Sequence, residues 1–147
     1  MKPVPDWPRI SSSVHYQDAQ KAIDWLCAAF GFQVRIQVPG ENGKIMHAEL
    51  TYGDGVIMVA DPNDHHAGAE IRKPPSAVGG ANTQCLFAYV DDVQAHHDRA
   101  KAAGARVVEE LRENDYGPDY WTDRSYQCVD LGGHHWWFAQ RIRTGGT

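Results

Sequence analysis

The sequence lacks any run of about eighteen consecutive apolar residues, the length that a transmembrane helix requires. Its first ten residues, MKPVPDWPRI, hold a single lysine and no apolar core segment, so we expect no secretory signal and a cytoplasmic location. The net charge of −5 and the scattered basic residues argue against nucleic acid as a partner. These absences predict a globular protein that acts neither in a membrane nor on nucleic acid.

Cysteine is also scarce. Cys27, Cys85 and Cys128 are the three in the chain, and no two of them have CxxC spacing. An odd number without paired spacing argues against a disulfide framework and against a structural zinc site. Each thiol is expected to act as a small buried hydrophobic group.

The chain of 147 residues is the size of a single domain, and it reads as two similar halves. Residues 9–61 predict the order β-α-β-β-β, with a helix that begins after Asp18 and ends at Gly31. Residues 62–82, rich in Pro, Gly, Asn and Ala, predict a linker or surface loop, where His65 and His66 would bind metal only adventitiously. Residues 83–141 repeat the first pattern, with Gly104 ending the helix. Two such modules predict an α+β fold in which neither sheet buries itself alone.

Four segments in this order carry a resemblance: YQDAQKAIDWLCAAFGF, HAELTYGDGVIMVAD, YVDDVQAHHDRAKAAGARVV and DRSYQCVDLGGHHWWFA. Together they resemble the glyoxalase/bleomycin-resistance family of the vicinal oxygen chelate superfamily, over roughly residues 9–141. The resemblance implies the glyoxalase/bleomycin-resistance/dihydroxybiphenyl dioxygenase fold, in which two βαβββ modules form an open, cupped β-barrel. It also implies a small-molecule site in the cup and a homodimer. It does not fix the chemistry, because this fold carries several activities.

Metal-dependent members of this family place one ligand on the first and one on the fourth strand of each module. Carried over, those positions are Ser11, Val59, Cys85 and Trp137. None is a carboxylate or an imidazole, and one thiol does not make a metal site. We therefore expect no cofactor and no glyoxalase I activity.

A relocated site is the alternative. Side chains alternate between the faces of a strand, so Ser11, Ser13 and His15 are expected to face the cup. In IMHAELTY, Met46, Ala48 and Leu50 form the apolar face, which leaves His47 and Glu49 on the other. If that face is the cup, Ile57, Val59 and Asp61 line the neighbouring strand. His15, His47 and Glu49 would then suit a divalent metal, with His47 or Glu49 as a general base.

The segment GGHHWWFAQ places Trp137 on one face of the last strand, and Trp136 and Phe138 on the other, packed under a helix. His134 is a candidate to cap the turn before this strand. Trp137 is expected to line the cup by stacking on a flat or cationic ligand, with Cys85, Phe87 and Tyr89 beside it.

Several other residues have alternative interpretations. Arg124 and Tyr126, in the DRSY motif, are candidates to order a ligand, and Arg124 equally to pair with Asp123 or Asp130. Helical spacing puts one of His96 and His97 at a half-buried position of the second helix. Residues 118–122 look like an insertion that forms a lid or a dimer contact.

Two functional hypotheses follow. The first is a protein that binds a small, flat or aromatic molecule in the cup without the usual metal. The second is a metal-dependent lyase, isomerase or dioxygenase-like enzyme built around His15, His47 and Glu49. A structural subunit whose cup is filled by its own side chains is a third, simpler interpretation.

Overall fold

The computed structural model of the chain describes residues 5–62 and 67–145, so His65 and His66 lie outside the described residues. The chain forms two compact units, Met1–Ala81 and Asn82–Thr147. Each unit contains one four-stranded mixed sheet and one α-helix, in the order strand, helix and three strands. The α+β class and the two βαβββ modules predicted from the sequence are confirmed.

The first unit contains β1 (Ser12–Ser13), α1 (Ala19–Phe30), β2 (Gln33–Pro39), β3 (Ile45–Tyr52) and β4 (Gly55–Val59). Its strands lie in the order β1-β4-β3-β2, with β1 parallel to β4 and the other pairs antiparallel. Short 3-10 turns cover Glu41–Gly43, Ala69–Ile71 and Pro75–Val78.

The second unit contains β5 (Leu86–Tyr89), α2 (Val93–Ala102), β6 (Arg106–Asp115), β7 (Trp121–Val129) and β8 (His135–Thr144). Its strand order, β5-β8-β7-β6, repeats that of the first unit, and β5 runs parallel to β8. No helix within residues 5–62 and 67–145 is long and apolar enough to cross a membrane.

Both helices begin with the same cap. The Asp18 carboxylate accepts the backbone N–H of Lys21 at 3.1 Å, and the Asp92 carboxylate accepts that of Ala95 at 3.0 Å. Such a cap satisfies one of the N–H groups that the first helical turn leaves without a partner. Gly31, at φ 84°, ends α1 in the left-handed conformation that glycine adopts without strain. The helix start at Asp18 and its end at Gly31 are confirmed.

Each sheet has one face packed against the helix of its unit. In the first unit the buried face of α1, including Ile23, Leu26 and Phe30, packs against a sheet face that contains Leu50 and Val59, and all five are at most 1% exposed. Each such side chain contributes roughly 1.5–3 kcal/mol when fully buried. We call this the helix-side face of a sheet and the opposite one its open face.

Residues 118–122, which the sequence identified as an insertion, belong to the hairpin between β6 and β7. Tyr120 N–H donates to the Gly117 carbonyl at 3.1 Å, and Tyr116 N–H donates to the Trp121 carbonyl at 2.9 Å. The extra residues therefore lengthen this hairpin, and β7 begins earlier than the sequence pattern indicated.

Candidate functional site

Cross-strand register decides which side chains share a face in the first unit. Glu49 pairs with Met58, and Ser13 also pairs with Met58, so these three share the open face. Ala48 pairs with Val59, which is 1% exposed on the helix-side face. The prediction that Val59 lies on the same face as His47 and Glu49 is therefore wrong. The same prediction for Ile57 is also wrong, because Ile57 pairs with Leu50. The pattern of one strand does not reveal its register with the next.

On the open face, His47 and Glu49 contact each other. His47 Nε2 lies 2.9 Å from a Glu49 carboxylate oxygen, and Arg35 Nε lies 3.6 Å from the other oxygen. The His47 side chain is 40% exposed, so its ring remains accessible beside the carboxylate. This pair can orient a polar group of a ligand or accept a proton from it.

A cleft of about 210 Å³ lies next to this pair, within the first unit. Met46 and Met58 supply its thioether groups, and it is further lined by Ser13, His15, His47, Asp61, Arg72 and Pro74. Met46 was predicted to share the apolar face of β3 with Ala48 and Leu50, but it is 55% exposed near the start of the strand. The cleft combines polarizable sulfur, imidazole and a guanidinium group, which suits an aromatic ring with a polar substituent.

Asp61 also lines the cleft, but both of its carboxylate oxygens are bound within the fold. One accepts the first N–H of α1, from Ala19, at 2.9 Å, and the other accepts Ile45 N–H at 2.7 Å. Gln140 makes the equivalent bond in the second unit, because its side-chain oxygen accepts Val93 N–H at 3.0 Å. Asp61, a candidate ligand-binding residue from the sequence, is thus engaged in joining β3, β4 and α1.

The residues at the metal positions of the family do not fit a divalent ion. Ser11 Oγ is buried without a hydrogen-bond partner among the described residues, Val59 is apolar and on the helix-side face, and Trp137 offers no lone pair. In the part of the chain that the structure describes, no three His, Cys, Asp or Glu side chains are grouped to hold one ion. His15, His47 and Glu49 therefore do not form the ligand set expected of a relocated site.

The open face of the second unit is aromatic. Phe87 pairs with Trp137 across β5 and β8, and Tyr89 follows Phe87 on the same face, with the two rings 5.1 Å apart at 76°. Phe87 is 54% exposed and Tyr89 48% exposed, whereas Trp137 is half-buried. Cys85, also exposed, directly precedes β5. The structure thus brings together Phe87, Tyr89 and Trp137, as the sequence predicted.

Beside these rings lies a polar cluster that the sequence pattern did not single out. Asp123 and Arg141 are paired across β7 and β8, and Arg141 Nε donates to Asp123 at 2.6 Å. Tyr89 donates its hydroxyl proton to Asp123 at 2.9 Å and accepts from Arg141 Nη2. Partial burial and the Asp123 carboxylate raise the pKa of Tyr89, so the hydroxyl keeps its proton at neutral pH. Extending the alternation along β8 from Trp137 would have placed Arg141 on this face, but not its partner Asp123 on β7.

The opposite face of the same sheet is core. Trp136 and Phe138 are each 1% exposed, and the Phe138 ring lies 4.2 Å from that of His96 on α2. His96 Nδ1 lies 2.7 Å from the Tyr126 hydroxyl. His97 is buried as well, whereas helical spacing had predicted one of these two histidines at a half-buried position. The prediction that Trp136 and Phe138 pack under a helix is confirmed.

Arg124 lies on this helix-side face and donates to the Gln94 side chain on α2 at 2.7 Å. The alternative interpretation, in which Arg124 pairs with Asp123 or Asp130, is therefore wrong. Tyr126, its neighbour in the motif, is 1% exposed. Both side chains are engaged with α2, and the structure does not bring them to the aromatic open face.

Asp130 organises the turn before β8. Its carboxylate accepts the backbone N–H groups of Gly132 and His134 and the indole N–H of Trp136, each at 2.9 Å. The Asp130 carboxylate thus caps the turn. Asp130 and Trp136 of this segment are bonded within the fold, while Trp137 lies on the open face.

Sequence relatives are consistent with the two-module fold. A model of the Glyoxalase/Bleomycin resistance protein/Dioxygenase superfamily matches residues 13–138. The uncharacterized protein Mb0911c of Mycobacterium bovis is 34% identical over 136 residues, which cover 92% of this chain and 85% of that protein. Rv0887c of Mycobacterium tuberculosis is 34% identical over 136 residues, covering 92% of this chain and 76% of that one.

Solved structures share the same architecture. TioX from Micromonospora sp. ML1 superposes with a TM-score of 0.68 at 31% identity, covering 90% of this chain and 95% of TioX. TnmS3, an antibiotic binding protein from Streptomyces sp. CB03234, gives a TM-score of 0.64 over 89% of this chain and 93% of TnmS3. At 21% identity that likeness is one of fold. The chain belongs to the Glyoxalase/Bleomycin resistance protein/Dioxygenase superfamily.

Proposed function

We propose that the protein binds a small, flat or aromatic molecule without the divalent metal of the metal-dependent members of its family. The observation that carries this proposal is the aromatic surface formed by Phe87, Tyr89 and Trp137 on the open face of the second unit. Large aromatic side chains left exposed beside one another are typical of a binding surface. Their rings offer edge and face contacts to a planar ligand.

The cleft in the first unit also supports the proposal, although its volume is small. Its volume of about 210 Å³ is below the roughly 300–1,000 Å³ of pockets that enclose a drug-sized ligand. Taken by itself it would accommodate one ring or one side group. TnmS3 adds the general point that a protein of this fold can be an antibiotic binding protein. We keep the sequence-based expectation of a cytoplasmic homodimer as part of the proposal.

One observation favours an enzyme as the second candidate. The His47–Glu49 contact of 2.9 Å is the arrangement of a general base whose imidazole is oriented by a carboxylate. In a binding protein, replacing His47 by alanine should weaken ligand affinity and leave metal content and fold unchanged. In a metal-dependent lyase or isomerase, the same change should remove bound metal and turnover together. Elemental analysis of both proteins, with turnover assayed in parallel, separates the two functions.

Binding itself is tested with two soluble probes that share one ring system, 2-naphthoate and 2-naphthylmethylamine. Calorimetric titration should show that Trp137→Ala weakens both probes, because both lose the same stacking surface. Trp25→Ala is a matched control, since this tryptophan contacts Phe30 in the first unit and is not one of the three rings of the aromatic surface. Failure of the wild-type protein to bind either probe would count against the proposal, as would equal losses in the two tryptophan variants.

A further inference from the structure

The Arg141 guanidinium is held rigidly on the open face of the second unit. It lies over two aromatic rings, 5.1 Å from the centroid of Tyr89 and 4.9 Å from that of Trp121. Its Nε donates to Asp123 and its Nη2 to the Tyr89 hydroxyl. A guanidinium that is stacked and hydrogen-bonded in this way has lost most of its side-chain freedom before any ligand arrives.

Part of this guanidinium has no acceptor. Arg141 has five N–H groups, and residues 5–62 and 67–145 supply acceptors only to Nε and Nη2, which leaves Nη1 without a partner there. The Arg141 side chain is 34% exposed, whereas that of its counter-ion Asp123 is 8% exposed. The accessible portion of this ion pair is therefore its cation.

The neighbouring charges do not remove this positive character. Arg143, two residues along β8, is bound to Asp115 at 3.3 Å and to the Gly117 carbonyl at 2.9 Å. Glu109, on the edge strand β6, is bound to Gln127 and Arg112. Among the described residues, Asp123 is thus the only carboxylate that contacts Arg141.

We infer that Arg141 binds an acidic oxygen group of the ligand, a carboxylate or a phenolate, while the ligand's ring stacks on the aromatic surface of Phe87, Tyr89 and Trp137. Tyr89 contributes both to the stacking surface and to the group that would bind the acid, since its ring lies beside Phe87 and its hydroxyl contacts Arg141. The ligand class is then an aromatic acid. This inference rests on the proposed function and adds the charge of the ligand to it.

The two naphthyl probes separate this inference from the proposed function. Arg141→Met should weaken 2-naphthoate by about tenfold, the effect of losing a hydrogen bond to a charged group. The same variant should not weaken 2-naphthylmethylamine, whose ammonium group gains nothing from a guanidinium. Arg143→Met is the matched control: it removes an arginine from the same strand and should leave the affinity for both probes unchanged.

Three outcomes decide the matter. Selective loss of 2-naphthoate affinity supports the inference, whereas no loss, or an equal loss for both probes, overturns it while the proposed function stands. If the wild-type protein binds neither probe, the proposed function and the inference fail together. Should circular dichroism show that Arg141→Met is unfolded, Arg141→Lys decides instead. Lysine keeps the charge but lacks the planar fork, so a smaller but still selective loss for 2-naphthoate is expected.

Discussion

Trp136 and Trp137 are adjacent in the chain but lie on opposite faces of one sheet. The Trp136 ring stacks on Phe138 with centroids 5.7 Å apart and an interplanar angle of 2°, and its indole N–H donates to Asp130 at 2.9 Å. Trp137 pairs instead with Phe87 on the open face. Two identical side chains thus belong to two environments, one in the core of the second unit and one on the candidate ligand surface.

Substituting each tryptophan by alanine should separate stability from binding. Trp136→Ala removes a fully buried ring and is expected to lower the free energy of unfolding by about 3–5 kcal/mol. Trp137→Ala should instead lower ligand affinity by about 1–3 kcal/mol and leave the protein folded. Urea denaturation and titration with 2-naphthoate measure both quantities. A Trp137→Ala protein with unchanged affinity and a sharply lowered denaturation midpoint would mean that Trp137 is also core.

The features predicted most reliably from the sequence are those that depend on residues close together in the chain. The helix caps Asp18 and Gly31, and the alternation of Trp136 and Trp137, follow from local geometry within one element. The faces of Val59 and Ile57 were not predictable in this way, because they depend on the register between β3 and β4.

Side-chain partners distant in the chain were also missed. The Asp61 carboxylate reaches a backbone N–H that lies 42 residues away. Arg124 donates to Gln94, which is 30 residues away in the sequence, and not to Asp123 or Asp130, which are nearer in the sequence. The Asp123–Arg141 pair depends on how far β7 and β8 extend, which the turn signals did not define.

We expect the Asp61 carboxylate to stabilise the folded protein. Asp61→Ala leaves the N–H groups of Ala19 and Ile45 without their acceptor, so the free energy of unfolding should fall by about 2–5 kcal/mol. Gln140→Ala, which removes the single equivalent bond in the second unit, should cost less. Chemical denaturation of the two variants tests this. An Asp61→Ala protein of wild-type stability that no longer binds ligand would restore Asp61 as a ligand-binding residue.

Cys128 should make the protein less stable at alkaline pH. Burial, helped by the nearby charge of Asp130, raises the pKa of this thiol from 9.0 to about 12. Between these values the unfolded chain loses the thiol proton and the folded protein does not. The free energy of unfolding therefore falls as pH rises, with a slope of up to about 1.4 kcal/mol per pH unit from this group.

Comparing variants isolates that contribution from other groups that titrate in the same range. Denaturation curves at several pH values between 8 and about 11 should show a shallower decline for Cys128→Ala than for the wild-type protein. Cys85→Ala is the control, because it removes an exposed thiol in place of the buried one. An unchanged slope in Cys128→Ala would show that this thiol does not contribute.

The protein is expected to be a homodimer. Val34 and Ile36, each 45% exposed, lie on the edge strand β2, and an uncovered apolar edge favours pairing with another chain. Sedimentation velocity should give the mass of two chains, and Ile36→Lys should shift the equilibrium toward one. A monomer whose mass does not change with concentration would refute the prediction.

The indole N–H resonances of the five tryptophans offer the most direct test of the ligand surface. After assignment by single substitutions, a ¹⁵N spectrum is recorded while 2-naphthoate is added. The account predicts that the Trp137 resonance shifts progressively to saturation, while the Trp136 resonance, one residue away on the other face, stays in place. Binding that saturates without moving Trp137 would contradict the assignment of the open face as the ligand site.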